Sequence, residues 1–398
     1  MRICLIVDDY LPHSIKVAAK MMHELACEFL AQGHDVTVIT PSADLNRPYD
    51  LSELDGVTVW RFKSGEIKNV GKIKRAINET LLSYRAWQNL KPLLQKNRHD
   101  LIVYYSPSIF WGNLVNRLKK LWGGVPAYLV LRDFFPQWAI DQGLIRAGSV
   151  IERYFRSFEA DNYSAADRIG VMSQKNLEWF NAVADVSAPV EILYNWAAAT
   201  PVHASGKFRE SLGLQDKIIY FYGGNIGHAQ DMMNIVRLAR NMQHEPQAHF
   251  LLVGAGDEFD LVKQALTRMH LTSITLLPSV SQDVYKEILA EIDIGLFSLH
   301  RDHTTHNFPG KLLGYMVQEK PILGSINAGN DLQDIIAAAG AGLVSLNGDD
   351  ETFLANALKL LSDQTFRHET GKRGKQLLQK SFSVGSAARQ ILSVYSDK

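Results

Sequence analysis

The sequence predicts an α/β protein made of two doubly wound domains whose sheets present their carboxyl edges to one cleft. Three observations predict it. Short apolar runs bounded by polar residues or glycine alternate with longer helical patterns along all 398 residues, as in βαβ units with parallel sheets. A chain of that length exceeds one ordinary core, and its 46% apolar content is enough to fill two. Residues 195–206, Asn-Trp-Ala-Ala-Ala-Thr-Pro-Val-His-Ala-Ser-Gly, break the periodicity with small residues and a proline, so a linker is expected there.

In the first half the apolar runs place strands at 3–7, 36–39, 57–62, 101–105, 128–131, 169–172 and 191–194. Between the first two, Val17, Met21, Leu25 and Phe29 recur every fourth residue as one helical face, and Gly33 stands where a helix-ending glycine belongs. After the linker, strands are expected at 218–222, 250–253, 274–277, 294–297, 321–324 and 343–345. The domains are then 1–198 and 207–374, with 375–398 as a C-terminal helix able to cross back to the first. Ligands of doubly wound sheets bind at the carboxyl edges of the strands. The loops concerned are 8–15, 106–110 and 133–138 in the first domain. In the second they are 223–230, 254–256, 278–281, 300–310 and 324–330.

Composition narrows the function classes. Forty-two Lys and Arg balance forty-two Asp and Glu, so no global field steers the chain to nucleic acid, and any anion site must be local. The two cysteines, Cys4 and Cys27, sit in expected core elements, which gives neither a disulfide framework nor a cysteine zinc site. The first apolar run is too short for a secretory signal, and no stretch approaches the ~20 apolar residues needed to cross a bilayer. A cytoplasmic protein with at most peripheral membrane contact is the expectation.

Two segments are built to hold phosphate. In Tyr220-Phe-Tyr-Gly-Gly-Asn-Ile-Gly-His-Ala-Gln230 a strand runs into a turn carrying Gly223, Gly224 and Gly227, whose amides could approach an anion closely before a helix begins. In Asn307-Phe-Pro-Gly-Lys-Leu-Leu-Gly-Tyr-Met316, Pro309 and Gly310 put the Lys311 ammonium at a helix mouth, with Leu312 following. A glycine turn alone is also what any strand-to-helix connection needs, and a first-turn lysine alone is also a solvated one; together they favour a diphosphate. Asn225 and Gln230 in the turn could add hydrogen bonds, and Gly254 and Gly256 follow the neighbouring strand. Gly254-Ala-Gly256 is too short and too late in the chain for a dinucleotide fingerprint, which disfavours an oxidoreductase.

Signals on the other side are weaker. His13, Lys16 and Asp133 lie on carboxyl-edge loops of the first domain, Asp133 directly after a strand. His300, His303 and His306 precede Pro309 without a helical i, i+4 pair, so sugar contact or loop polarity is favoured over a metal. Lys63, Lys68, Lys72, Lys74 and Arg75, followed by a helical 77–84 stretch, form one basic run, and Arg117-Leu-Lys-Lys-Leu-Trp122 a second. Such runs are usually solvated faces. They would also suit an anionic leaflet, each cation contributing about 1 kcal/mol.

The glycine turn Tyr222 to Asp231, the segment Gly33-His-Asp-Val-Thr-Val-Ile-Thr40 and Phe308-Pro-Gly-Lys-Leu-Leu-Gly-Tyr-Met316 together resemble the retaining GT-B glycosyltransferases of family 4. More narrowly, the first and last of these resemble bacterial O-antigen transferases that add N-acetyl-L-fucosamine. The resemblance implies two Rossmann-like domains and transfer of a sugar from a UDP-sugar, with retention, to a polyprenyl-diphosphate-linked saccharide at the inner membrane. It implies no metal, and the leaving phosphate as the group that receives the acceptor proton. Lys311, Asn225, His306 and Asp133 become the catalytic candidates. Gly223, Gly224, Gly227, Gln230, Gly254, Gly256, Pro309, Gly310 and Leu312 would complete the donor site, with His13 and Lys16 on the acceptor side.

The chain departs from the family's motifs, with Gly310 where related polysaccharide transferases have a serine before the lysine. Asn225 and Gln230 stand where the family has an Arg and a Lys, and His306 and Gly314 where it has two glutamates. Either donor recognition is rebuilt around Lys311 and the turn, which is favoured because both are kept, or the chain binds nucleotide sugars without turnover. A GT-B-type UDP-sugar epimerase is the other alternative, although the loops after Gly224 and His300 lack the acids it would want.

Overall fold

Two mostly parallel sheets organise the chain, and their central strands are buried and apolar on both faces. The computed structural model describes residues 1–14, 16–67, 70–302 and 309–396. The strands are β1 Arg2–Ile6, β2 Asp35–Ser42, β3 Tyr49–Leu54, β4 Val57–Lys63, β5 Leu101–Ser106, β6 Ala127–Leu131, β7 Arg168–Val171 and β8 Val190–Ile192 in the first sheet. The second holds β9 Ile218–Asn225, β10 Ala248–Ala255, β11 Ile274–Leu277, β12 Ile294–Ser298, β13 Ile322–Ile326 and β14 Gly342–Leu346.

The first sheet has the order β3-β4-β2-β1-β5-β6-β7-β8 and the second β11-β10-β9-β12-β13-β14. Every pairing is parallel except β3 with β4. Both orders reverse direction beside the first strand of their unit, β1 and β9, so each sheet has a switch point there. This is the expected doubly wound, Rossmann-like architecture, twice.

The chain divides into two compact units. One holds 1–194 together with the residues from Val384 on, the other 195–383. The first core is rich in rings, with Tyr104, Trp111 and Phe180 buried, and the Tyr104 hydroxyl donates to the Asn162 carbonyl at 2.6 Å. The second stacks Tyr220 on Phe250 at 4.8 Å between ring centres. The Tyr104 hydroxyl is thus partnered, as a dry interior requires, whereas the Trp111 indole N–H is buried without a hydrogen-bond partner.

Four expectations are corrected. Residues 49–54 form β3, an antiparallel edge strand whose Leu51, Ser52 and Glu53 are exposed; a half-polar edge carries no apolar run to read. Val17 is 81% exposed at the start of the helix Val17–Ala31, whose inner face is Met21, Leu25 and Phe29. The units divide after Tyr194, so the segment read as a linker begins inside the second unit, where the Ala197 N–H donates to the Phe382 carbonyl at 3.0 Å. The segment from 375 is not one helix: the helix Gln364–Leu377 ends, a π-helical turn Leu378–Phe382 follows, and a new helix Val384–Ser396 packs on the helix Val17–Ala31.

Candidate functional site

The carboxyl edge of the second sheet is where β9 ends in Gly223-Gly224-Asn225, and the reason for its glycines is spatial. A Cβ on Gly254 would stand 1.8 Å from the Gly224 carbonyl oxygen, and one on Gly256 would stand 2.2 Å from that of Ile226, so β10 can lie against the turn only without side chains there. Gly224 itself has φ +125°, a conformation that L side chains rarely adopt. A cavity of about 380 Å³ opens at this edge, lined by Gly224, Asn225, Gly254, Ser279, Gln282 and Tyr285 among others.

Across the same edge the helix Gly310–Val317 begins, with Pro309 as its N-cap and Lys311 in its first turn. The Lys311 Nζ lies over the Tyr222 ring, 3.6 Å from its centre, and its end would be within 3.8 Å of a Cβ on Gly224. Burial among these groups pushes the Lys311 amine down to about 7. The Tyr222 hydroxyl donates to the Asn225 carbonyl, and burial pushes its own ionisation far above the ordinary tyrosine range.

Several expected donor-side roles narrow. The Asn225 side-chain amide donates to the Gln230 side-chain oxygen Oε1 at 2.7 Å, so these two neutral residues bind each other in the exposed turn. The Ile226 N–H is taken by the Ala255 carbonyl at 3.0 Å and is not free for an anion. Beyond Gly227 comes only a three-residue 3₁₀ turn, His228–Gln230; the helix Met232–Asn241 starts after it, behind Asp231. A carboxylate also stands close, since a Cβ on Gly227 would meet Asp257 Oδ1 at 2.5 Å. Leu312 is fully buried and its N–H donates to the Pro309 carbonyl at 3.0 Å, so it serves packing. At Gly314 a Cβ would lie 2.9 Å from Leu289 Cδ1: the position where the resemblance puts a carboxylate is a helix-to-helix contact. His303 and His306 lie outside the described residues. His300 stacks near His228 with ring centres 4.7 Å apart. Among the described residues no three His, Cys, Asp or Glu side chains come together as a metal site.

In the first unit Asp133 follows β6 and is half-buried; burial pushes its carboxyl up to about 6, against hydrogen bonds from the Phe134 backbone and the Trp138 side chain. Asp8, Tyr105 and Arg132 share this edge: the charge of Arg132 lowers, and those of Asp8 and Asp133 raise, a Tyr105 hydroxyl already pushed up to about 12 by burial. Burial likewise holds the Arg132 guanidinium down to about 10. His13 and Lys16 are exposed. Lys16 pairs with Asp9 at 3.8 Å, and His13 lines a cavity of about 570 Å³ with Asp8, Tyr10, Asp44 and Arg61. Sequence reading passed over Tyr222 and Tyr105 because a tyrosine in a strand reads as core, and over Asp257 because nothing local links it to Gly227.

The basic runs are less free than their composition suggests. Lys74 pairs with Glu66, and Arg75 with Glu79 at 2.8 Å, while Lys68 lies outside the described residues. Trp122 is buried, its indole N–H donating to the Leu94 carbonyl at 3.0 Å, so the second run presents no surface aromatic at that position.

A glycine turn on a central strand of the second sheet and a lysine at the mouth of the neighbouring helix thus stand together at one carboxyl edge, where ligands of doubly wound sheets bind. Residues 18–196 match the glycosyl transferase 4-like domain and residues 205–377 match glycosyl transferases group 1. The protein is a glycosyltransferase of the GT-B type, carrying those two domains in that order. It is 26% identical over 318 residues, 75% of each chain, to the putative colanic acid biosynthesis glycosyl transferase WcaI of Escherichia coli. Among solved structures it is similar to sucrose-phosphate synthase from Thermosynechococcus elongatus, at TM-score 0.68 and 16% identity over 100% of this chain and 98% of that one. It is likewise similar to Anabaena HepE in complex with UDP, at TM-score 0.66 and 14% identity over the whole of both chains.

Proposed function

We propose that this glycosyltransferase moves N-acetyl-L-fucosamine from its UDP-sugar, with retention, to a polyprenyl-diphosphate-linked saccharide during O-antigen or other surface-polysaccharide synthesis. The observation that carries the donor reading is Lys311, whose ammonium stands beside Gly224 at the carboxyl edge of β9. A diphosphate there would meet an amine already positioned to balance a leaving group's developing charge. Its charge would also return the proton that burial draws from the amine.

In the reaction the bond from the anomeric carbon to the diphosphate oxygen breaks, the acceptor hydroxyl oxygen forms the new bond on the same face, and its proton passes to the departing phosphate. Lys311 balances the charge left on UDP, and no metal is needed in this scheme. Asp133, held near neutrality in its titration, is the acceptor-side candidate. The colanic acid assignment of WcaI and the UDP bound to HepE support the donor and pathway class. Membrane contact is proposed through the helix Lys72–Thr80, where Ile73 is 80% and Ile77 56% exposed. No described helix is long and apolar enough to cross a membrane.

The test is a panel of UDP- and GDP-sugars, UDP-N-acetyl-L-fucosamine included, offered with short lipid-diphosphate saccharides and read by mass spectrometry. A single-sugar mass increment on the acceptor is expected. Lys311→Ala should lower kcat/KM on the order of 10²- to 10³-fold. Full activity in that variant removes Lys311 from the mechanism, and UDP binding with no increment on any acceptor favours a binding subunit.

A further inference from the structure

Lys311 reaches Gly224 by way of another side chain. Its Nζ is 3.6 Å from the centre of the Tyr222 ring, and the hydroxyl of that ring is bonded to the Asn225 carbonyl, one residue beyond Gly224. Tyr222 is fully buried in β9, flanked on its strand by Phe221 and Gly223. Fixing a lysine costs rotamer entropy, and a dry interior penalises its charge; a ring face offsets part of both by giving the ammonium a defined, attractive seat.

We propose that Tyr222 is a positioning residue of the donor-phosphate site: its ring seats the Lys311 ammonium beside Gly224 while its hydroxyl pins the glycine turn. One side chain then sets the place of the cation and the course of the main chain that faces it. The inference rests on the donor reading above for its ligand, but not for the seat itself. Asn225 and Gln230 are neutral and bonded to each other, so the seat fixes a cation that neither of these turn residues can replace. Binding would draw the ammonium from the ring face towards the phosphate oxygens, exchanging a cation–π contact for charge-assisted hydrogen bonds.

The ring is itself the reporter. In ligand-free protein labelled with ¹³C at the lysine ε-carbons, the Lys311 ε-methylene, assigned by its loss in Lys311→Met, should be displaced upfield of the other lysines by the ring current. The displacement should persist in Tyr222→Phe and vanish in Tyr222→Leu, with thermal melting confirming that both variants fold. Calorimetric titration with UDP should then weaken by a few fold in Tyr222→Phe, where the turn loses its pin, and by ten fold or more in Tyr222→Leu. In the wild type, UDP should move the Lys311 signal back towards the others.

A wild-type Lys311 signal at the ordinary lysine position overturns the proposal whether or not UDP binds. So does a folded Tyr222→Leu variant that binds UDP as the wild type does. If Tyr222→Leu does not fold, Tyr222→Phe decides: unchanged UDP affinity overturns the pinning. A displaced signal in a wild type that does not bind UDP overturns the donor reading and supports the seat.

Discussion

Burial and an aromatic ring act on Lys311 in opposite senses, the first disfavouring its charge and the second attracting it, and the site depends on that balance. The lysine itself was legible, since Pro-Gly-Lys before an apolar stretch reads as a helix mouth. Its seat was not: Tyr222 belongs to a strand far off in sequence, and only the packing of β9 against the helix Gly310–Val317 brings the ring beneath the amine. His99 makes the same point for stability. It is fully buried between Trp60 and Trp122, ring centres 5.8 and 4.8 Å away, and burial holds its pKa down to about 4. The unfolded chain protonates this imidazole near its ordinary value while the folded protein resists. Stability is therefore intact above that value and falls as pH drops from about 6.5 towards 4, by about 3 kcal/mol if the full shift is expressed. Urea unfolding across that range should show the loss for the wild type and a flatter profile for His99→Leu; parallel profiles would exclude His99 as the source.

At the scale of elements, the strands with continuous apolar runs were read to within a few residues, because burial on both faces leaves an unmistakable signature. β3 escaped because an edge strand needs only one partner and tolerates polar residues on its open side. The turn after β9 was read as a phosphate cradle from its glycines taken together with Lys311. Two of the neighbouring glycines prove instead to be required by the close passage of β10, and one amide in the turn is already spoken for. The helix Lys72–Thr80 exposes Ile73 and Ile77 four residues apart, an apolar stripe on the solvent side. If this helix contacts the bilayer, replacing both by glutamate should reduce co-sedimentation with anionic vesicles several fold at low salt. Turnover of a water-soluble acceptor should remain. Equal sedimentation of variant and wild type would move the contact elsewhere.

At the scale of the whole molecule, the C-terminal helix Val384–Ser396 belongs to the first unit, with Ala388 and Ile391 fully buried and the helix Val17–Ala31 as its partner. Removing residues from 384 on should strip that helix of its cover and lower the melting temperature of the first unit. Hydrogen exchange should rise across the helix Val17–Ala31, while the second unit keeps its protection. Unchanged exchange there would show that the helix is dispensable. A balanced charge adds no global field, so recognition rests on local groups. The sequence by itself determined the class of fold, the number of units and the turn and lysine of the candidate site, because hydrophobic periodicity and backbone punctuation are local properties of the chain. Only the tertiary structure decided which groups stay available in that site, which tyrosine holds its cation and to which unit the last helix belongs. Those depend on contacts between residues distant in the chain, made when burial brings their elements together.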